Sequence, residues 1–295
     1  LRRVNWHLAF PFLSSLLYVG GVLLIKRASD LRAGVWRTAF VSNTMAALVF
    51  LALLPFEGRV LWDRLWEPAL VALLFAGGQV LTFLALERGD VSVVTPAMGS
   101  KTIMVAWFST LLLGERLPWQ LWLSAVLSFL AIALLSRAGR AGPRTGLARM
   151  LVLSLLAAVC YALFDVLVQK WAPAWGAPRF LPVMFCFCAL FSTAFVPLFR
   201  QPLRAIPKAA WPWLLGGSLL VALQAMSLVT ALAVFGDATA MNVIYSGRGL
   251  WSVAAVWLVG HWFHNQEQRL ESRVLAWRLT GAAIMLAAIF TTLTK

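Results

Sequence analysis

Charge is scarce in this chain of 295 residues: 12% of positions are Asp, Glu, Lys or Arg, and only 11 are acidic. A soluble domain carries about 25% charged residues, so a water-facing globule is excluded. Cysteine is scarcer still. Cys160, Cys186 and Cys188 all fall in apolar stretches, and Cys186 and Cys188, two apart, point to different sides of a helix. Neither a disulfide framework nor a metal set is expected from them. His261 and His264 stand three apart in HWFH, without the further ligands that a metal site needs. No GxSxG, Walker A or HExxH pattern occurs, and no catalytic triad can be argued. The chain therefore does not read as an enzyme, and no cofactor is expected.

Apolar residues fill the space that charge leaves. They make up 61% of the chain, with a mean hydropathy of +0.83. Ten stretches are long enough to cross a bilayer as helices: residues 6–26, 34–55, 68–87, 91–113, 119–136, 147–170, 179–199, 210–233, 238–260 and 275–293. The expected fold is an all-α, multi-pass membrane protein. The first stretch lacks an A-x-A-like cleavage site and is expected to be a true span. The net charge of +14 does not point to nucleic acid, because nearly all Lys and Arg lie between apolar stretches, where loops touch anionic headgroups. The loops on the side of the membrane away from the N-terminus hold the larger share of Lys and Arg, which places both termini outside the cytoplasm. Many of the 15 Trp residues, Trp36, Trp62, Trp66, Trp119 and Trp211 among them, sit near span ends as interface anchors.

The linker RAGRAGPRTG, residues 137–146, divides the chain into five spans and five, over residues 1–136 and 147–295. The halves match in three places. Lys26 and Lys170 close the first and sixth spans, with Tyr18 and Tyr161 eight and nine residues before them. LSAVLSFLA, from Leu123, parallels LTGAAIMLA, from Leu279. GDVSVVTPAMGSKTIMVAWF, residues 89–108, parallels GDATAMNVIYSGRGLWSVAA, residues 236–255, and each places a cation twelve positions after its Gly. Five spans per half is odd, so the two halves run through the bilayer in opposite directions, the inverted repeat of alternating-access transporters.

The cations of the last match, Lys101 and Arg248, lie mid-span, where an ion is costly and faces a cavity or a partner. Together they define an anion site for a carboxylate or phosphate; backbone carbonyls or Asp165 are the alternative partners. Helical spacing puts Tyr245, Trp251 and Ser252 on the face of Arg248, and Met98, Val105 and Phe108 on that of Lys101. Asp165 shares a stripe with Tyr161 and Gln169. It can balance either cation, meet a substrate ammonium or carry a coupling proton, or else lie at the interface about one and a half turns from its helix end. Gln79 and Gln224 are lone amides that can bind substrate or another helix. Pro96 with Gly99-Ser100, and Ser246–Gly249, should loosen their helices.

Tyr18–Ala28 (YVGGVLLIKRA), Cys160–Ala172 (CYALFDVLVQKWA), Leu111–Leu117 (LLLGERL) and the small residues of the fifth and tenth spans carry a resemblance across nearly the whole chain. On these residues it resembles the EamA-like family of the drug/metabolite transporter superfamily. The second half departs from that pattern: Gly260-His261 stands where Gly-Glu would follow the ninth span. The resemblance implies ten helices, a central cavity lined by spans 1, 3, 4, 6, 8 and 9 with Tyr18 and Tyr161 on its wall, and export or exchange of small metabolites. It also implies basic residues in the ninth span, as in sugar-phosphate and nucleotide-sugar carriers.

The expected function is secondary transport of a small anionic or zwitterionic metabolite by a monomer or homodimer, with possible proton coupling, in a bacterial inner membrane. Export of lipophilic compounds is the alternative within transport; a lipid scramblase or membrane enzyme is the alternative outside it.

Overall fold

The computed structural model describes residues 6–87, 97–136, 147–251 and 272–294. Ten principal helices and no strand occur among the described residues. They are α1 (Ala9–Asp30), α2 (Val35–Leu51), α3 (Trp66–Glu87), α4 (Lys101–Leu113), α5 (Trp119–Ser136), α6 (Leu147–Trp175), α7 (Ala177–Ser192), α8 (Trp211–Phe235), α9 (Ala238–Ser246) and α10 (Ser272–Leu293). Each falls on one of the ten predicted spans. Among the described residues, five helical stretches are long and apolar enough to cross a membrane: Trp6–Asp30, Trp62–Ala85, Ala148–Trp175, Ala177–Leu198 and Lys208–Phe235. The longest, at 28 residues, extend about 42 Å and must tilt in a hydrocarbon layer of about 30 Å.

One boundary differs from the expected one. The sixth span does not end near Lys170 but continues through Pro173 to Trp175. A proline so near the helix end removes little of the ladder, and the last residue is tied down from elsewhere: Trp175 Nε1 donates to Glu67 Oε2 at 2.9 Å. The second Glu67 oxygen accepts from Arg64 Nε at 2.9 Å, so this carboxylate, 1% exposed, is both charge-paired and hydrogen-bonded. Only Gly176 then separates α6 from α7. Its φ of 80° and ψ of 130° repeat those of Gly34 before α2, at 80° and 139°. The same i−4 bond follows each glycine, Thr38 N–H to Gly34 O at 3.0 Å and Phe180 N–H to Gly176 O at 3.1 Å. A positive φ of this kind is open to glycine at little cost.

The chain divides into two compact units. The first comprises residues 1–12, 77–166 and 237–295; the second comprises residues 13–76 and 167–236.

In the second unit, α2 packs on α7 and α8. Phe50 stacks on Phe185 at 3.9 Å between centroids, and Phe75 meets the same ring edge-on at 6.1 Å. The α1–α8 crossing is made by glycines. A Cβ on Gly217 would lie 2.9 Å from Ile25 N and 3.0 Å from Gly21 O, so backbone rests on backbone, as small residues allow in membranes. Ser42 and Ser218 hydroxyls meet at 2.9 Å. Gly217→Val is therefore expected to force α1 and α8 apart and to destabilise the fold by about 1–3 kcal/mol, read as a lower thermal unfolding temperature in detergent.

In the first unit, α5 packs along α10, and α4 and α9 pack against each other and against α5. Small residues bring these two helices close: a Cβ on Gly281 of α10 would lie 2.9 Å from Leu135 Cγ and 3.1 Å from Ala131 O on α5. Gly99 lies against Ile132 in the same way.

Candidate functional site

Lys101 begins α4 because the helix is interrupted at the preceding residue. Ser100 N–H donates to Ala97 O at 3.3 Å, a tightened i−3 closure, and Met104 N–H resumes the i−4 ladder to Ser100 O at 3.1 Å. The ninth span does the same at Gly247, with its N–H to Ile244 O at 3.0 Å and Trp251 N–H to Gly247 O at 3.1 Å. Arg248 follows that turn directly. The loosening expected from Gly99-Ser100 and Ser246–Gly249 is thus a single tight turn in each span, placed one residue before each cation. Such short 3₁₀-type closures inside long helices mark functional irregularities. Pro96 lies outside the described residues.

Asp165 resolves one alternative that sequence leaves open. Its Oδ2 lies 2.7 Å from Lys101 Nζ. The same oxygen accepts from Asn242 Nδ2 at 2.7 Å, and Asn242 Nδ2 also donates to Ala238 O at 2.9 Å. Both partners of that amide nitrogen are acceptors, so the network itself sets the amide orientation. The interfacial placement of Asp165 does not hold: α6 runs ten residues beyond it, and the residue is 1% exposed. An ionised carboxylate has about four lone-pair sites, so this one can take a donor beyond Lys101 and Asn242.

Arg248 packs over Tyr245, its Cζ 4.3 Å from the ring centroid, inside the range of cation–π attraction. Lys101 stands 6.0 Å from the centroid of Tyr161, at the edge of that range. Arg248 is close enough to Lys101 to repel it. A hydroxyl pair extends the polar line: Thr102 Oγ1 and Ser246 Oγ meet at 3.2 Å, and Ser246 Oγ donates to Asn242 O at 2.7 Å.

The first unit thus brings together Lys101, Asp165, Tyr161, Tyr245 and Arg248. Tyr161 closes against the bare Cα of Gly78, where a Cβ would lie 3.0 Å from its ring. Gln79, the next residue of α3, is half-buried. Met98 receives the Thr82 hydroxyl at 3.7 Å from its sulfur. Trp251 meets Phe12 edge-on at 5.6 Å. Ser252 lies outside the described residues, as do His261 and His264. Tyr18 and Gln224 belong to the second unit, where Gln224 Nε2 donates to Ser14 Oγ at 2.9 Å and Ser14 Oγ donates to Gln224 O at 3.0 Å. For Gln224 the helix-to-helix bond is therefore the reading that the structure favours. Sequence reasoning missed Asn242, Thr102 and Ser246. Asn242 carried a usable signal, since it is a lone amide in an apolar helix like Gln79 and Gln224.

Residues 5–137 match the EamA-like transporter family. A protein of Archaeoglobus fulgidus described as an uncharacterized transporter is 29% identical over 182 residues, covering 59% of this chain. The match spans 63% of that relative's length, just under two thirds. A crystal structure superposes with a TM-score of 0.79 over 98% of both chains at 16% identity, a likeness of fold. The apolar helices and the family together make this an integral, multi-pass membrane protein. Over residues 5–137, just under half of its length, the chain is similar to the EamA-like transporter family, part of the drug/metabolite transporter superfamily.

Proposed function

We propose that this chain is a secondary transporter that carries a small organic anion or zwitterion across the membrane by alternating access. The observation that carries the reading is the cluster Lys101–Asp165–Arg248, two basic side chains and one carboxylate in an apolar, Tyr-walled surrounding. An ion cluster inside spans is costly and is kept where it meets a solute. Arg248 supplies a planar fork that matches a carboxylate or phosphate. The Asp165 carboxylate accepts an ammonium or hydroxyl of the same solute. Sites of this kind combine apolar walls with a few placed polar groups.

The two halves act as inverted repeats in this reading. The equivalent turns at Ser100 and Gly247, and the equivalent glycines Gly34 and Gly176, support it. Helix interruptions beside the ionic site are where such transporters bind their solutes.

Counterflow into proteoliposomes tests the reading. Vesicles preloaded with one candidate solute, a dicarboxylate, an amino acid or a sugar phosphate, should accumulate its labelled form from outside. Lys101→Gln and Arg248→Gln should each abolish that accumulation. Intact counterflow in both variants would remove the site assignment.

A further inference from the structure

We propose that the second unit carries a built site for the phosphate headgroup of an anionic phospholipid, formed where the α1–α2 turn meets the α7–α8 connection.

Residues 26–37 and 200–208 contain seven basic side chains, Lys26, Arg27, Arg32, Arg37, Arg200, Arg204 and Lys208, against a single acid, Asp30. The fold brings these two segments together rather than leaving them as separate loops. Ala28 and Ala33 of the first pack in one buried cluster with Ile206 of the second and with Ala210 and Leu214 just beyond it. Arg37 is the clasp. It is 7% exposed, its Nη2 donates to Arg32 O at 2.8 Å, and its Nη1 donates to Pro202 O at 3.2 Å. Gly34 makes room for it, since a Cβ there would lie 3.2 Å from Arg37 Nε. No described carboxylate pairs with this buried guanidinium.

Juxtaposing so many like charges is self-repelling unless an anion neutralises them. Arg32 adds a second sign. It adopts a φ of 64°, a left-handed conformation in which glycine or asparagine is the ordinary occupant, so backbone strain is accepted at a position that holds an exposed guanidinium. Lys26, Arg32, Arg200, Arg204 and Lys208 are all exposed. The patch lies at the ends of the stretches Trp6–Asp30 and Lys208–Phe235, the level of the headgroups. Trp211 packs on the buried cluster, and Trp213 is partly exposed beside it, as interface-anchoring indoles are. This is also the side of the membrane that the Lys and Arg distribution assigns to the anionic cytoplasmic leaflet. The chemistry is a phosphodiester met by several guanidinium groups, with acyl chains lying along the exposed apolar flank. The site is distinct from the Lys101 cluster and does not depend on what that cluster binds.

The test uses the full chain purified in neutral detergent. Its thermal unfolding is followed while phosphatidylglycerol, phosphatidylcholine or glycerol 3-phosphate is added. The native protein should be stabilised by phosphatidylglycerol well below the concentration at which phosphatidylcholine acts. In Arg32→Gln/Arg204→Gln/Lys208→Gln, the phosphatidylglycerol response should weaken roughly 100-fold, about fivefold for each charge removed. High salt should weaken the native response. Equal effects of the two lipids, or an undiminished response in the triple variant, would overturn the proposal. Stabilisation by glycerol 3-phosphate at the same concentrations would assign the patch to a free phosphate and overturn the lipid. If the triple variant does not fold, Arg204→Gln alone should weaken the response about fivefold, while Lys170→Gln, exposed on α6, should not. Equal weakening by both would also overturn it.

Discussion

Asp165→Ala is expected to be the most damaging single substitution in this protein. It removes the only carboxylate paired with Lys101 among the described residues and leaves a half-buried ammonium without that counter-charge. Breaking a buried pair on one side costs about 3–5 kcal/mol. The variant should unfold at a markedly lower temperature and show no counterflow. The paired substitution Lys101→Met/Asp165→Leu separates stability from function. Replacing both ions with apolar groups is often neutral or stabilising, by about 1–4 kcal/mol, so the double variant should regain native stability while remaining inactive. Asn242→Ala should fall between these, at about 1–3 kcal/mol, because it strips one of the two bonds on Asp165 Oδ2 but leaves the charge pair. A double variant that regained both stability and transport would show the pair to be purely structural.

Arg248→Gln is expected to have the largest effect on binding alone. Arg248 packs on Tyr245, a cation–π contact worth about 0.5–1 kcal/mol. A charge-assisted bond to a carboxylate or phosphate contributes about 1.5–3 kcal/mol. Affinity for an anionic solute should therefore fall roughly 10- to 150-fold. Arg248→Lys keeps the charge but loses the fork, and should recover only part of that affinity. Isothermal titration of the three proteins with one anionic solute reads both effects.

The parts of this fold that were legible in sequence are those set by local composition. Ten apolar stretches gave ten helices because a stretch of about twenty apolar residues has few other ways to satisfy its backbone in lipid. Gly99-Ser100 and Ser246–Gly249 read as weak points, and each became a turn, because glycine and serine favour departures from the helical ladder. Lys101 and Arg248 stood out because mid-span cations are rare. What remained hidden depended on partners distant in sequence. Lys170 marks an end for the sixth span that the helix overruns, because Glu67, more than a hundred residues away, holds it as far as Trp175. Which cation Asp165 meets is a matter of how α4, α6 and α9 pack, and no spacing along one helix encodes it. Gln224 and Asn242 show the same limit from two sides. Both are lone amides in apolar helices, yet one is occupied by Ser14 on a neighbouring helix and the other holds the central carboxylate.

The most direct test of the charged cluster as a solute site is the stability of the purified protein against a panel of organic acids, amino acids, sugar phosphates and lipophilic cations, measured in parallel with Arg248→Gln. Saturable stabilisation by one class of anion or zwitterion, lost in the variant while the basal unfolding temperature stays close to native, is the expected result. Stabilisation by lipophilic cations alone, unchanged in Arg248→Gln, would contradict it.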